Sequence, residues 1–265
     1  IGMMQTMKIL AVVNQKGGVG KSTVAVHNAY AARDNGLRVL LVDLDRQGSL
    51  STSFPATGHH EGEASTSSAL FSEGAVIVPE ILEDGLAILR ADDALSMLSG
   101  ASRDGIKRPV RYLRELASQY DVCIMDTPGV LGFNPPMTIG ALVAADAVVC
   151  PFGVGLYEGK ALADLWEYLK GIKSQGYNAR LRLMGLLPSR VHTTSKEEME
   201  ALATLRAQFG AAILPLMLGE RASVKQAIGK RKPVWKGTKG AGHMKAAQEW
   251  RTATTYILTT LGVLK

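Results

Sequence analysis

The sequence is poor in cysteine and lacks any long apolar run, and each shortage excludes a class of protein. Its two cysteines, Cys123 and Cys150, each sit in an apolar stretch. Two such residues cannot form the disulfide framework of a small secreted fold, so buried free thiols are expected. No apolar stretch approaches the ~20 residues that a membrane-spanning helix needs. The N-terminus also lacks the layout of a signal peptide, which favours a cytoplasmic protein.

Acidic side chains are missing from one part of the chain. Residues 221–245 contain eight lysines and arginines and no aspartate or glutamate. The wider segment 180–265 has 15 basic and 5 acidic side chains, whereas residues 1–179 have 15 basic and 19 acidic ones. The net charge of +6 therefore hides a weakly acidic body and a strongly basic end. A basic segment of this kind indicates a polyanionic partner.

The composition is otherwise that of a globular protein, with 46% apolar and 20% charged residues. Apolar strands alternate with helical segments, which predicts an α/β fold with a doubly wound, mostly parallel β-sheet. We expect residues 1–265 to form one domain, with residues 1–7 extraneous or disordered. The predicted strands are residues 8–14, 38–43, 77–78, 86–89, 121–126, 147–150, 181–187 and 211–214, and the predicted helices are residues 21–35, 109–119, 159–173, 195–209 and 244–261.

Residues 51–74 are rich in serine, threonine and glycine, and we expect a loop with a short helix there. The adjacent His59 and His60 lie in this stretch. Neighbouring histidines rarely share a metal ion, and no cysteine or carboxylate has matching spacing. Both are therefore expected to be solvated.

A glycine-rich loop joins the first predicted strand to the first predicted helix. It reads Lys16-Gly17-Gly18-Val19-Gly20-Lys21-Ser22-Thr23. Glycines let successive backbone N–H groups face inward at the positive end of a helix, and such a nest binds phosphate. Lys21 would bring its charge to the β- and γ-phosphates, and Ser22 would offer its hydroxyl to Mg²⁺. Gln15 stands where the usual phosphate-loop pattern has its first glycine, so this is a variant with an early lysine, Lys16.

Carboxylates follow two further strands. Asp43 and Asp45 come at the end of the second strand, and Asp126 ends the strand of residues 121–126. In a doubly wound sheet the carboxyl ends of the strands form the ligand crevice. Any one of these aspartates could be a turn or cap residue, but the three together with the loop indicate a site for Mg²⁺ and a nucleoside triphosphate.

The segments NQKGGVGKST, LVDLDRQGS and IMDTPG resemble the three motifs of the ParA/MinD class of deviant phosphate-loop (Walker) ATPases. The resemblance runs from Lys8 to about Gly219. Only about seven residues precede the first strand, so the chain is most similar to the small plasmid-type ParA partition proteins without an N-terminal helix-turn-helix domain. It departs from the family at Arg46, where proline is usual, and at Gly129, where proline or serine is common. Neither departure removes a catalytic group.

The resemblance implies three catalytic residues. Lys16 would reach across a nucleotide-sandwich homodimer to the phosphates bound by the partner, and Lys21 would hold those of its own subunit. Asp45 would orient the water that attacks ATP. A lysine arriving from a second subunit would make hydrolysis conditional on dimerisation, which suits a switch better than a metabolic enzyme.

The resemblance also implies the ligands of ATP and Mg²⁺. Ser22 would ligate the metal, Asp126 would hold it through water, and Asp43 would support the metal shell. Thr23 would contact the α-phosphate, and the adenine contacts are expected near two prolines. The complete set of expected nucleotide-binding residues is Gly17, Gly18, Val19, Gly20, Lys21, Ser22, Thr23, Pro188 and Pro215.

Members of the resembled class bind DNA without sequence preference when ATP holds them as dimers, and a partner on the cargo stimulates hydrolysis. We therefore expect double-stranded DNA, a ParB-like centromere-binding or cargo-adaptor protein and a second copy of this chain as partners, with a nucleoid-associated location. Non-specific affinity needs positive charges that neutralise phosphates. The expected DNA-binding residues are Arg190, Arg221, Lys225, Lys230, Arg231, Lys232, Lys236 and Lys239.

Three other functions stay open at this point. A membrane-cycling ATPase of the MinD type would need an amphipathic C-terminal helix, whereas the apolar stripe of residues 250–261 is expected to belong to the core. An iron–sulfur reductase would need two exposed cysteines at a dimer axis. A module that binds nucleotide without hydrolysing it would not need Lys16 or Asp45.

Overall fold

The computed structural model describes residues 6–57, 63–82, 85–100, 102–155 and 157–265; His59 and His60 lie outside these ranges. The strands are β1 (Lys8–Val12), β2 (Val39–Asp43), β3 (Glu80–Ile81), β4 (Leu86–Leu89), β5 (Val122–Asp126), β6 (Ala147–Phe152) and β7 (Arg182–Pro188). The α-helices are α1 (Lys21–Asp34), α2 (Ser49–Ser53), α3 (Arg108–Glu115), α4 (Met137–Ala144), α5 (Glu158–Ser174), α6 (Lys196–Phe209), α7 (Ala222–Gly229) and α8 (Gly240–Leu261).

Seven strands form one sheet in the order β3-β4-β2-β5-β1-β6-β7. Every pairing is parallel except that of the edge strand β3 with β4. Each residue of β2, β5 and β6 is buried, as expected of parallel strands that helices cover on both faces. The predicted doubly wound, mostly parallel α/β fold is confirmed.

The two faces of the sheet carry separate apolar layers. Side chains of α3, α4, α5 and α6 pack on one face. On the opposite face lie α1, α2, α7 and α8. Helix α1, which follows the glycine-rich loop, therefore shares its layer with the basic C-terminal part of the chain, and α8 packs directly against it.

Some predicted elements differ from the structure. Residues 211–214 form no strand; Ile213 makes one isolated bridge to Leu186 after a turn of 3-10 helix. Residues 77–78 are also outside any strand. Met7 is buried in the core, so the expectation of a disordered residue at that position is wrong. Its side chain fills apolar space beside β1, which gives the chain a reason to be ordered before the strand begins.

The burial of the cysteines and of the α8 stripe counts against two of the alternatives, the iron–sulfur reductase and the membrane-cycling ATPase. Cys123 and Cys150 are both buried free thiols, as predicted, so neither can reach an exposed cluster on a dimer axis. On α8 the stripe of Trp250, Ile257 and Leu261 is buried against the sheet layer. It therefore cannot lie on a membrane while the fold is intact. Among the described residues no helix is long and apolar enough to cross a membrane.

A close contact inside β7 gives a test of the packing. Gly185 has φ +151°, and a Cβ there would lie 2.8 Å from Leu214 Cδ2 and 3.0 Å from the carbonyl oxygen of Ala212. We expect Gly185→Ala to lower the free energy of unfolding by about 1–3 kcal/mol because the neighbours must shift. Urea denaturation measures this. The control is Gly242→Ala in the first turn of α8, where a Cβ meets no atom within 4 Å. Equal stability of the two variants would contradict the prediction.

Candidate nucleotide and DNA site

The glycine-rich loop curls over the start of α1 at the carboxyl edge of the sheet. Gly18 and Gly20 have φ values of +71° and +90°, a region in which L side chains are strained. Gly20 also has no room for a side chain, because a Cβ would lie 2.8 Å from Ser189 Oγ. Gly18 and Gly20 are therefore required by the shape of the loop, which lies at the N-terminus of α1, the end of a helix that favours phosphate.

Side chains of α1 and of the end of β5 meet at this end of α1. Ser22 Oγ donates a 2.5 Å hydrogen bond to Asp126 Oδ2 at the end of β5. Lys21 Nζ donates to the Lys16 carbonyl at 2.9 Å. Burial lowers the pKa of Lys21, while the charges of Asp126 and Asp45 raise it, so both carboxylates lie close to the ammonium group. The predicted convergence of loop and strand ends is present.

Asp126 has the chemistry of a metal-site carboxylate. Its side chain is buried, and its Oδ1 has no hydrogen-bond partner among the described residues. Burial raises its pKa to about 7; the hydrogen bond from Ser22 acts in the opposite direction. Oxygen ligands from one or two side chains plus phosphates and waters are what Mg²⁺ uses in nucleotide sites. Ser22 Oγ and the unpaired Asp126 oxygen therefore fit a Mg²⁺ ion.

Asp43 organises the loop that follows β2. Its Oδ1 accepts the backbone N–H of Asp45 at 3.1 Å, and its Oδ2 accepts the N–H and hydroxyl of Ser51 at 2.8 and 2.6 Å. Both oxygens are thus bonded within the chain, so direct metal ligation by Asp43 stays a prediction and the contacts favour indirect support. Asp45 itself lines the cleft beside the glycine-rich loop.

Lys16 makes a contact that the sequence did not indicate. Its Nζ forms a 2.7 Å ion pair with Glu158 in the first turn of α5; the lysine side chain is 42% exposed and the glutamate 5%. Glu158 Oε1 has no hydrogen-bond partner among the described residues. Truncating one member of such a pair leaves a buried charge uncompensated. The only hint in the sequence was an acidic residue at the start of a predicted helix.

A cavity of about 420 Å³ extends from the glycine-rich loop along the segments that follow β7. Arg190 lines it, with φ +54°, and donates to the Gly18 carbonyl at 2.6 Å and to Glu220 at 2.7 Å. These contacts place Arg190 beside the glycine-rich loop, and its role in DNA binding stays a prediction. Pro188 and Pro215 do not line the cavity, so they stay predictions without support; Leu218 and Val224 do line it.

The predicted DNA-binding residues fall into two groups. Arg221 is paired through two nitrogens with Glu249 and is largely buried, and Lys225 is paired with Glu220. Together with Arg190 these residues build the cleft wall. The remaining residues lie on the segment between α7 and α8, which we call the basic loop (residues 230–239), and have no ion pair among the described residues. They are Lys230, Arg231, Lys232, Lys236 and Lys239.

The basic loop borders a second cavity of about 560 Å³ between α7 and the start of α8. Lys230, Lys232 and Lys239 line it. Glu220 and Arg221 line it as well. Among the described residues the three lysines have no carboxylate partner, and this excess of positive charge favours an anionic occupant. DNA binding by all eight residues stays a prediction, and the contacts favour the basic loop within that set.

A glycine-rich loop at the start of α1, a paired serine and carboxylate behind it, and a doubly wound sheet define a phosphate-loop nucleoside triphosphatase. Residues 7–183 match a family described as "AAA domain". The chain is 31% identical over 265 residues to protein IncC of Escherichia coli, covering 98% of this chain and 71% of IncC. It is 34% identical to the chromosome-partitioning ATPase Soj of Thermus thermophilus, covering 86% and 90% of the two chains.

The fold also matches that of apo McdA from Cyanothece, with a TM-score of 0.79, 20% identity and coverage of 95% and 99%. The chain belongs to the ParA/MinD family of deviant phosphate-loop ATPases, and within it to the ParA-type partition ATPases. Soj is named for chromosome partitioning, and the apolar stripe of α8 is buried, so the MinD alternative is less favoured.

The raised pKa of Asp126 predicts how stability depends on pH without metal or nucleotide. Because the folded-state pKa is above that of an unfolded aspartate, the folded protein binds more protons between about pH 4 and pH 7. Stability should therefore fall as pH rises through this window, by up to about 4 kcal/mol from this group. Asp126→Asn should remove most of the slope in urea unfolding with chelator present. Asp93→Asn, at a fully exposed carboxylate, should leave it. An unchanged slope in Asp126→Asn would contradict the assignment.

Proposed function

We propose that this protein hydrolyses ATP with Mg²⁺ to ADP and phosphate, and that ATP drives a homodimer that binds DNA. The observation that carries the proposal is the Ser22–Asp126 pair beside Lys21 at the start of α1. The glycine-rich loop, the Lys21 ammonium and the Asp126 oxygen that has no partner among the described residues lie together at this position. The relative Soj, which is named a chromosome-partitioning ATPase, supports the same activity.

The proposed catalytic role of each residue follows from its position in the cleft. The N–H groups of the loop and the Lys21 ammonium would hold the β- and γ-phosphates, and catalysis of phosphoryl transfer is mostly positioning and charge stabilisation. Ser22 and Asp126 would hold Mg²⁺, which when bound would supply positive charge that stabilises the transferring phosphoryl group. Asp45, on the loop braced by Asp43, would orient the attacking water.

The dimer would be formed by the face around Lys16. Tyr157, next to Glu158, is 84% exposed, and Val130, which follows Gly129, is 44% exposed. Gly129 lies against the glycine-rich loop, with its Cβ position 3.5 Å from Gly17 N. Exposed apolar residues beside a site favour a protein interface. In such a dimer Lys16 would exchange Glu158 for the phosphates of the partner, so hydrolysis would depend on assembly.

DNA binding would use the basic loop. The positive charges there lack carboxylate partners among the described residues, and the loop shares a layer with α1. A ParB-like or adaptor protein on the cargo would stimulate hydrolysis and release the dimer from the nucleoid. This cycle would segregate or position a plasmid, a chromosome or another cargo in the cytoplasm.

Two substitutions separate nucleotide binding from turnover. Lys21→Ala should abolish ATP binding because it removes the charge on the phosphates. Asp45→Ala should keep ATP binding and lower turnover about 100-fold or more, which should also hold the protein on DNA. Phosphate release and nucleotide titration measure the two effects. Asp93→Ala is the matched control, since its side chain is 99% exposed. Wild-type turnover by Asp45→Ala would show that another group orients the water.

Removing charge from the basic loop tests the DNA surface. A Lys230→Ala, Arg231→Ala and Lys232→Ala triple variant should weaken ATP-dependent DNA binding at least tenfold and reduce the slope of log K against log salt by up to about 3. A matched triple of Lys107→Ala, Arg111→Ala and Arg114→Ala removes the same charge from the opposite face of the sheet. Fluorescence anisotropy over a salt series measures both. Equal losses in the two triples would mean that only net charge matters.

A further inference from the structure

The basic loop is held at its centre by two histidines that the nucleotide chemistry does not use. The backbone of Val234 lies between them. Its N–H donates to His27 Nε2 at 3.2 Å, and its carbonyl accepts from His243 Nε2 at 2.6 Å. His27 belongs to α1 and His243 to α8. Val234 itself is fully buried, so this one residue joins the lysine-bearing loop to both helices.

The hydrogen bonds of His27 define its protonation state. Its Nδ1 lies 3.0 Å from the Thr23 carbonyl one turn earlier in α1 and therefore donates to it. Its Nε2 must then be an acceptor, as the contact from Val234 requires. The ring is fully buried, and burial lowers its pKa to about 4. It is stacked on Trp250 of α8, with ring centres 4.3 Å apart.

His243 repeats the arrangement with the other tautomer. Its Nδ1 accepts the backbone N–H of Lys239 at 3.0 Å, while its Nε2 donates to Val234. Each histidine ring thus uses one nitrogen as a donor and the other as an acceptor, which only a neutral imidazole can do. The contact to Lys239 also fixes the point at which the basic loop enters α8.

Further contacts seat the loop on α1. Trp235 Nε1 donates to Asp34 Oδ2 at 3.0 Å, and the Trp235 ring packs edge-on against His27 at 5.7 Å. The same helix begins at Lys21 in the phosphate nest. A single helix therefore contacts the nucleotide site at one end and the basic loop further along.

We infer that His27 and His243 clamp the Val234 peptide and so position the basic loop for DNA. This inference rests on the proposed DNA binding by that loop. A loop ordered before binding loses less conformational entropy when it engages phosphates. Both histidines are positioning residues and contribute no charge, which separates their effect from that of the lysines.

The test uses His243, which is partly exposed and does not line the cavity beside the glycine-rich loop. His243→Leu should raise hydrogen exchange across residues 230–239 and weaken ATP-dependent DNA binding about tenfold at constant salt and about pH 8, where a free histidine is neutral. ATP turnover without DNA should be unchanged. His243→Gln, whose amide supplies one donor and one acceptor, should restore most of the affinity. His192→Leu, at an exposed histidine on another segment, is the matched control and should retain wild-type affinity.

The possible outcomes distinguish a failure of the histidine clamp from a failure of the proposed DNA binding. If the wild-type protein does not bind DNA with ATP at low salt, the proposed DNA binding fails, and the exchange data alone then decide whether the clamp orders the loop. Wild-type exchange in His243→Leu would overturn the clamp. Raised exchange with undiminished DNA affinity would overturn its role in positioning the loop. His27→Gln, which keeps a donor and an acceptor on α1, should behave like His243→Gln, and a loss of loop protection there would count against the clamp's stated chemistry.

Discussion

The hydrogen bond between Ser22 and Asp126 is the contact on which the site depends. It joins the first turn of α1 to the end of the central strand β5, so the phosphate nest cannot move independently of the sheet. It also leaves Oδ1 of the buried Asp126 without a hydrogen-bond partner in the described part of the chain. A buried polar atom of that kind is costly unless a cation or donor completes it. This oxygen lies at the position where the metal of a metal–nucleotide complex could bind it.

Two other buried carboxylates, Asp43 and Glu158, hold residues of the proposed site in place. Asp43 is buried and bonded on both oxygens, and it fixes the loop on which Asp45 reaches the cleft. Glu158 is buried on the opposite side of the loop and holds Lys16. Asp43 thus holds the residue proposed to orient water, and Glu158 holds the residue proposed to reach a partner subunit. The acidic body of the chain is therefore organised around the cleft.

The basic residues of the C-terminal part fall into two groups, those with acidic partners and those of the basic loop. Arg190, Arg221 and Lys225 have acidic partners and form the cleft wall. The charges of the basic loop have no such partners among the described residues, and Lys230, Lys232 and Lys239 line the second cavity. Helix α1 connects the two regions, because its first turn belongs to the nest and His27 bonds to the loop. Nucleotide site and basic surface thus share one rigid element.

The sequence by itself determined the sheet, the glycine-rich loop and the strand-end aspartates, because each depends on local pattern: continuous apolar runs, glycine spacing and the residue that ends a strand. It missed α4, whose residues are buried almost all round and show no amphipathic period, and it placed a strand at residues 211–214, where a short apolar run makes only one bridge. Only the tertiary structure decided which charges are paired. Glu158 meets Lys16 across 142 positions, Arg190 meets Gly18 across 172 and Val234 meets His27 across 207. Contacts at such separations arise from the packing of α1, α5 and α8 on the sheet, and no local pattern encodes them.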